Sequence, residues 1–188
     1  MSHHDHQRRF EQLALPHLDA AFNLARWLTR NDHDAQDVVQ DAMLRALRHI
    51  GGFRGDNARA WLLQVVRNTC YSWLKDNRPG EQVSLDDEGE AGLALAAPAA
   101  DEPLATVLRR ADRRQINQAL AGLPIAYREV LVLRELEDLS YADIARLADI
   151  PVGTVMSRLS RARGLMRLAL SPCPPPPAAP PEPSGGRA

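Results

Sequence analysis

The chain has 188 residues, 45% of them apolar and 25% charged, which is enough for one large or two small domains. Its two cysteines, Cys70 and Cys173, are too few for a disulfide framework, and neither a signal peptide nor a membrane span is recognisable. We therefore expect a cytoplasmic protein. The net charge of -1 is compatible with a nucleic-acid partner, because eight acidic residues between positions 81 and 112 mask basic flanking segments.

The N-terminal part of the chain predicts helices. Apolar residues recur at helical spacing from about 8 to 27, and Pro16 is expected to start a new helix or kink the first one. Asn31 or Asp32 can cap a further helix from about 34 to 50. The predicted buried face of that helix consists of Ala35, Val38 or Val39, Ala42, Ala46 and Ile50. Its other face carries Asp37, Gln40, Asp41, Arg45 and Arg48, which by themselves indicate a solvated surface.

A glycine-rich loop at 51–57 separates this helix from the next, predicted over 58–76. The loop sequence GGFRGD lacks the Lys-Ser/Thr ending of a P-loop, and Asp56 or Asn57 can cap the helix that follows. The predicted core stripe is Leu62, Val65, Val66, Thr69 and Trp73, with Arg59, Arg67, Asn68, Tyr71 and Lys75 elsewhere on the helix. Basic side chains interleaved with aromatic rings favour binding of single-stranded DNA. The alternative is that Trp61, Tyr71 and Trp73 are core or rim aromatics.

Composition divides the chain into four parts. A first helical domain over 8–78 is followed by an acidic, Ala/Pro-rich linker over 79–103, where the calcium-loop spacing of acidic ligands is absent. A second domain over 104–170 begins with a helix from Arg113 to Ala121 and another from Leu123-Pro124 through Glu135. Residues 171–188 form a low-complexity Pro-rich tail that we expect to be disordered.

The segment from Leu139 to Leu170 predicts two helices joined by a tight turn. Ser140 and Asp143 can form a capping box, and Leu139 with Ile144 a hydrophobic staple, so the first of these helices has a defined start. Pro151 and Gly153 supply turn and helix-start chemistry, and a second helix should begin near Val152.

Helical periodicity divides that last helix into two faces. The apolar face comprises Val152, Val155, Leu159, Ala162, Met166 and Ala169. The opposite face carries Ser157, Ser160, Arg161 and Gly164, bordered by Met156, Arg158, Arg163 and Arg167. No acidic residue lies between Gly153 and Leu170, so unpaired arginines beside small polar side chains favour entry into a DNA major groove. The alternative is an amphipathic helix with a solvated basic face.

Three motifs in order resemble the extracytoplasmic-function (ECF) group of sigma-70 family sigma factors. They are DAQDVVQDAMLRAL, FRGDNARAWLLQVVRN and LPIAYREVLVLRELEDLSYADIARLADIPVGTVMSRLSRAR. The resemblance spans about 10 to 170 and implies a two-domain all-α protein, built from sigma regions 2 and 4, that directs RNA polymerase to promoters in a stress or envelope response. The implied partners are core polymerase, through its largest-subunit coiled coil and its flap, promoter DNA and an anti-sigma factor.

The resemblance also assigns residues. Asp37, Gln40 and Asp41 would grip the coiled coil of the largest polymerase subunit. The minus-10 element would be handled by Arg54, Asn57, Trp61, Arg67 and Asn68, with Asn68 helping to hold a flipped base. The minus-35 element would be bound by Ser157, Ser160 and Arg161, with Arg158 and Arg163 nearer the phosphates. Unstacking a base costs a few kcal/mol, which stacking and pocket contacts can offset without ATP.

Other functions are weighed against this one. A free-standing helix-turn-helix repressor or activator would use the first domain for dimerisation or sensing, but it would leave the Asp37–Asp41 surface unexplained. An enzyme would need a catalytic constellation, and we find none, nor a cofactor motif. His3, His4 and His6 lack the further spaced ligands of a metal site. Cys70 fits a redox sensor or, equally, a buried position.

Overall fold

The computed structural model describes residues 3–78, 104, 109 and 111–171, which form helices and turns with no β-strand among them. The first unit contains α1 (His3–Leu13), α2 (Leu18–Thr29), α3 (Asp32–His49) and α4 (Ala58–Asn77). The second unit contains α5 (Arg113–Gly122), α6 (Ile125–Leu131), α7 (Tyr141–Ala148) and α8 (Val152–Leu170). The all-α fold class is confirmed. The predicted linker and the predicted tail lie outside the described residues, apart from Ser171.

Local capping signals set the helix boundaries of the first unit. Pro16 lies in a 3-10 turn, Leu15–His17, that separates α1 from α2. The side chain of Asn31 accepts hydrogen bonds from the backbone nitrogens of His33 (2.8 Å) and Asp34 (3.3 Å), which satisfies free N–H groups at the start of α3. Asn57 caps α4 in the same way through Ala60 N at 2.9 Å.

Helices α2, α3 and α4 pack against one another around the first core. Every residue predicted for the buried face of α3 is buried. The predicted stripe of α4 needs correction, because Val65 and Trp73 are only half-buried, whereas Leu63, Cys70 and Leu74 are buried. The reason is that α4 is covered on more than one side, since it packs on α2 and α3 and also on α7 of the second unit. Its apolar surface is therefore wider than one stripe.

The second unit begins with a capping box in which Asp112 and Gln115 bond each other's backbone nitrogens. Helix α6 continues into a π-helical turn, Val132–Leu136, in which the Glu137 nitrogen donates to the Val132 carbonyl at 3.1 Å. The helix predicted through Glu135 therefore exists, with its last turn widened.

Ser140 caps α7, as predicted, through its Oγ and the Asp143 nitrogen at 3.1 Å. The Asp143 carboxylate bonds the Ser140 hydroxyl at 2.6 Å, so this side-chain bond takes the place of the second half of the predicted capping box. Leu139 and Ile144 are both buried, as a hydrophobic staple requires. Asp149 adopts the left-handed conformation, with φ of 55°, and ends α7 before the turn to α8.

Helix α8 packs against α5, α6 and α7 along its middle. Four residues of the predicted apolar face are buried: Val155, Leu159, Ala162 and Met166. Val152 and Ala169 are exposed, so the predicted face is wrong at both ends. Gly164 is buried although we predicted it on the open face. A Cβ there would meet no atom within 4 Å, so a side chain at this position would face open space.

The two units also contact each other. Helix α4 packs on α7, and α2 packs on α6 and on the π-helical turn. One continuous cluster of buried apolar residues runs through both units. Among the α4 residues predicted to contact DNA, Arg67 lies against the second unit, whereas Asn68 is exposed.

Candidate nucleic-acid and protein interfaces

The acidic face of α3, defined as Asp37, Gln40 and Asp41, lies on the surface. Asp37 and Gln40 are exposed and Asp41 is half-buried. Asp41 pairs with Arg45 one turn along the helix, at 2.8 Å, and such exposed pairs contribute little to stability. Leu44, beside these residues, is 50% exposed, and this apolar surface side chain was not predicted from the sequence. The combination of acids, an amide and an exposed leucine is suited to a protein partner.

The loop between α3 and α4 is held by three contacts. Arg9 of α1 donates to the Phe53 carbonyl at 2.6 Å, and Arg54 donates to the Gly51 carbonyl at 2.8 Å. The Phe53 and Trp61 rings lie 5.0 Å apart at 35°, within the range of favourable aromatic pairs. Phe53 thus ties the loop both to α1, through its carbonyl, and to α4, through its ring.

The five candidates for minus-10 contact differ in accessibility. Arg54, Asn57 and Asn68 are exposed, and Trp61 is half-buried against Phe53. Trp61 and Asn68 are seven residues apart on α4, which places them two turns, roughly 10 Å, along the same stripe. Arg67 is only 8% exposed, contrary to its predicted place outside the core.

Arg67 is buried because it binds Glu129 of the second unit. Its Nε donates to one carboxylate oxygen of Glu129 at 2.5 Å, and the Tyr71 hydroxyl donates to the other at 2.9 Å. The guanidinium also lies 4.4 Å from the centre of the Tyr71 ring. Glu129 is fully buried, and a buried carboxylate of this kind requires such partners.

The environment of this carboxylate shifts nearby pKa values. Burial acts to lower the pKa of Arg67, but the charge of Glu129 and the bond to it outweigh burial and raise the pKa. Burial, reinforced by Glu129, raises the pKa of Tyr71 well above its ordinary value. Burial also raises the pKa of the Cys70 thiol, again with Glu129 acting in the same direction. Cys70 is therefore held as a neutral thiol, which favours the buried interpretation over the redox sensor.

A second carboxylate, Glu137, joins the units at the end of the π-helical turn. One oxygen accepts from Asn23 Nδ2 of α2 and the other from Arg59 Nη2 of α4, each at 2.5 Å. Glu137 is 4% exposed. A cleft of about 590 Å³ that includes Pro16, Asn23 and Glu137 in its walls opens beside this contact. The Glu137 pair therefore forms the edge of the contact between units, whereas the Glu129 pair is deeper.

The open face of α8 carries most of the predicted minus-35 residues. Ser157, Ser160 and Arg161 are exposed, and Arg158 is half-buried. The Arg161 guanidinium is 3.4 Å from the Tyr127 hydroxyl. Arg158 approaches the first unit closely enough for its charge to act on Tyr71.

The prediction of unpaired arginines on α8 is wrong for Arg163. It donates to Glu135 of the π-helical turn at 2.7 Å, and this hydrogen bond is the main cause of its raised pKa. Because half-exposed Glu135 neutralises Arg163, a phosphate would have to compete for that guanidinium.

Three functional side chains of this arrangement escaped the sequence analysis: Arg9, Glu129 and Glu137. The available signal for the glutamates was Glu129 directly before the apolar run VLVL, since a charge within a core helix needs a partner. Within the described ranges, no cluster of metal-binding side chains is present and no helix is long and apolar enough to cross a membrane.

Comparison with known proteins decides the family. Residues 13–79 match the family description "Sigma-70 region 2" and residues 113–166 match "Sigma-70, region 4". The RNA polymerase sigma-H factor of Pseudomonas aeruginosa is 36% identical over 174 residues, which cover 88% of each chain. The ECF RNA polymerase sigma-E factor of Haemophilus influenzae is 35% identical over 79% of this chain and 80% of its own. The chain is an ECF sigma factor of the sigma-70 family.

Solved structures agree with this assignment. The sigma factor RpoE of Bartonella quintana, in complex with the anti-sigma factor NepR, superimposes with a TM-score of 0.66 at 30% identity. The match covers 86% of this sigma factor and 96% of that chain. CnrH, in complex with the cytosolic domain of CnrY, gives a TM-score of 0.59 at 25% identity over 87% and 88% of the two chains.

Membership fixes the general role. This sigma factor binds RNA polymerase and promoter DNA, and members of the family are transcription initiation factors and not enzymes. A free-standing repressor or activator is not favoured, because both sigma regions occur in one chain in the order that sigma factors have.

Proposed function

We propose that the acidic face of α3 binds the coiled coil of the largest core polymerase subunit, and that the second unit contacts the flap. The support for the first contact is the exposure of Asp37 and Gln40 together with Leu44 on one helix side. An acidic surface with an apolar centre fits a basic helical partner. The second contact rests on family resemblance alone.

We infer that minus-10 DNA binds along the loop and α4. Arg54, Asn57 and Asn68 are accessible, and the Phe53–Trp61 ring pair offers a surface on which a base can stack. Asn68 would bind a flipped base through its amide, two turns from Trp61. Arg67 would join them only after releasing Glu129.

The open face of α8 would enter the major groove of the minus-35 element. Ser157, Ser160 and Arg161 are exposed on that face. The serines are small enough to let the helix approach the base edges of a major groove, and the arginine is long enough to reach them. Arg158 and Arg163 would contact phosphates, the latter in exchange for Glu135. Met156, which is 55% exposed, adds an apolar contact to the same face.

The regulation and the cell location are proposed from the family resemblance. We propose an anti-sigma partner, since the similar RpoE structure is described as a sigma factor in complex with the anti-sigma factor NepR. A stress or envelope response, action in the cytoplasm, and the four-part division at 8–78, 79–103, 104–170 and 171–188 belong to the same proposal. The main support for the proposed function is the presence of both sigma regions, each with an exposed face that a partner could bind.

Single-round transcription tests the proposal. Purified core polymerase, with and without this protein, is given linear promoter DNA and no helper ATPase. We expect initiation only when the protein is present. DNA binding by the protein alone, without initiation and without association with core polymerase, would refute it in favour of a free-standing regulator.

A further inference from the structure

We propose that Tyr127 is a specificity-determining residue for the minus-35 element, because its hydroxyl positions the Arg161 guanidinium in the orientation in which it reads a guanine. Tyr127 lies on α6, outside the helix that enters the groove. It is a positioning residue, since it acts through Arg161. The inference rests on the proposed minus-35 role of Arg161 and adds the residue that sets how accurately the base is read.

The contact joins a half-buried ring to an exposed side chain. Nη1 of Arg161 donates to the Tyr127 hydroxyl oxygen at 3.4 Å, across 34 residues of sequence. The Tyr127 ring packs against the core, and the Tyr127 backbone nitrogen donates to the Pro124 carbonyl at 3.0 Å. A tyrosine has only two side-chain torsions, so packing of the ring fixes the place of its hydroxyl. Arg161 is exposed, and a long side chain of this kind has many rotamers unless a neighbour restricts them.

The Tyr127 hydroxyl is a neutral acceptor, which distinguishes Arg161 from its neighbour Arg163. The Arg163 guanidinium is paired with the Glu135 carboxylate, which a phosphate would have to displace. Arg161 makes no salt bridge with any residue that the structure describes, and its side-chain contact there is the one to Tyr127. The positive charge of Arg161 therefore stays available to DNA while the direction of its guanidinium is constrained.

The number of donors on arginine permits both contacts at once. A guanidinium has five N–H donors, and a bidentate contact with O6 and N7 of guanine uses two of them. Tyr127 takes one hydrogen of Nη1, so the base can be bound through the others. A distance of 3.4 Å is at the long end of the hydrogen-bond range, so a small movement of the guanidinium toward a base costs little. The hydroxyl thus favours one orientation without competing with the base.

An oriented arginine is expected to discriminate better than one that can turn. A guanidinium without this hydroxyl can swing to a neighbouring phosphate, which attracts it whatever the base sequence. Loss of the Tyr127 hydroxyl should therefore weaken recognition of guanine more than it weakens DNA binding in general. This difference separates a positioning role from a role in stability alone.

The test compares two tyrosine hydroxyls in the full chain. Tyr127→Phe removes the hydroxyl from Arg161 and keeps the ring that packs on the core. The matched control, Tyr141→Phe, removes a hydroxyl that bonds Arg163, the arginine proposed to contact phosphate. Arg161→Ala and the double variant Tyr127→Phe with Arg161→Ala complete a double-mutant cycle. Thermal unfolding followed by circular dichroism establishes that each variant is folded.

Initiation with core polymerase is measured on linear templates altered one base at a time in the minus-35 element of a promoter that the wild-type protein uses. The discrimination ratio is initiation with guanine divided by initiation with another base, at the position that Arg161→Ala identifies. We expect Tyr127→Phe to lower this ratio about threefold to tenfold, the effect of one hydrogen bond. Tyr141→Phe should lower initiation on all templates alike and leave the ratio unchanged. In the Arg161→Ala background, Tyr127→Phe should have no further effect on the ratio.

Every other outcome overturns the proposal. An unchanged ratio in Tyr127→Phe does so, as does an equal fall in Tyr141→Phe. A fall that persists in the Arg161→Ala background would show that Tyr127 acts on DNA by another route. Failure of the proposed minus-35 role has a different signature, because Arg161→Ala would then leave the ratio unchanged at every position, and the inference would fall with that role.

Discussion

Arg9 and Phe53 are joined by a 2.6 Å hydrogen bond from the Arg9 guanidinium of α1 to the Phe53 backbone carbonyl in the loop between α3 and α4. The bond spans 44 residues and is partly buried, so it links the N-terminal helix to the loop independently of α3 and α4. The position of the loop therefore depends on a side chain outside the segments assigned to DNA.

Replacing Arg9 tests this link. Arg9→Ala should cost about 1 kcal/mol of stability, as expected for one hydrogen bond, and should slow promoter opening by loosening the loop. Opening can be followed by a fluorescent base in the minus-10 element. Arg8→Ala, at the exposed neighbouring position, is the matched control. Equal effects of the two changes would contradict a specific role for Arg9.

The acidic face of α3 predicts a separable polymerase defect. Asp41→Arg should weaken core binding by at least roughly tenfold, because charge reversal places like charges across the interface. The fold should persist, since the Asp41–Arg45 pair is exposed. Competition for core polymerase against a labelled sigma factor measures the effect. Asp76→Arg makes the same reversal at an exposed residue of α4, and a similar defect there would point to general charge repulsion.

The open face of α8 predicts a defect in recognition without a defect in assembly. Arg161→Ala should leave core binding intact and reduce discrimination at one minus-35 base by about 1 to 3 kcal/mol, if the guanidinium binds a guanine in bidentate fashion. Transcription from templates altered one base at a time locates that position. Arg114→Ala, an exposed arginine of α5, controls for lost positive charge. A uniform loss on all templates would assign Arg161 to phosphate.

The raised pKa values of Cys70 and Tyr71 predict instability at alkaline pH. Both groups are neutral in the folded protein, and unfolding returns them toward ordinary pKa values of 9.0 and 10.0. The stability they give is present below pH 9 and falls as the pH rises beyond it, by up to about 1.4 kcal/mol per pH unit for each group. Urea unfolding between pH 7 and 11 measures the fall. Cys70→Ala should shift its onset upward, and identical profiles would contradict the assignment to Cys70.

Sequence reasoning succeeded where the cause was local. Asn31, Asn57 and Ser140 cap helices whose free nitrogens lie two or three residues away, so the cap can be recognised from the sequence alone. The exposed residues of α3 and α8 follow from helical periodicity in the same way, which is why Gln40 and Arg161 lie on the surface as expected.

It failed where the cause was distant. Arg67 is buried by a glutamate 62 positions later, and Arg59 pairs with one 78 positions later. The sequence does not show which arginine each glutamate binds, because a buried ion pair depends on how helices from separate parts of the chain meet. Arg163 was misjudged for the same reason, since Glu135 belongs to another helix. Whether the predicted contact residues act as assigned stays a prediction.

The contact between the two units joins parts of one chain, with 34 residues between Arg78 and Arg113. Covalent connection gives the units an effective concentration for each other that does not fall when the protein is diluted. A contact that is too weak to hold two separate molecules together can therefore persist within each copy of the protein, whatever the protein concentration. Cleavage between the units would make their contact a bimolecular one, so a single proteolytic cut would make the contact depend on protein concentration.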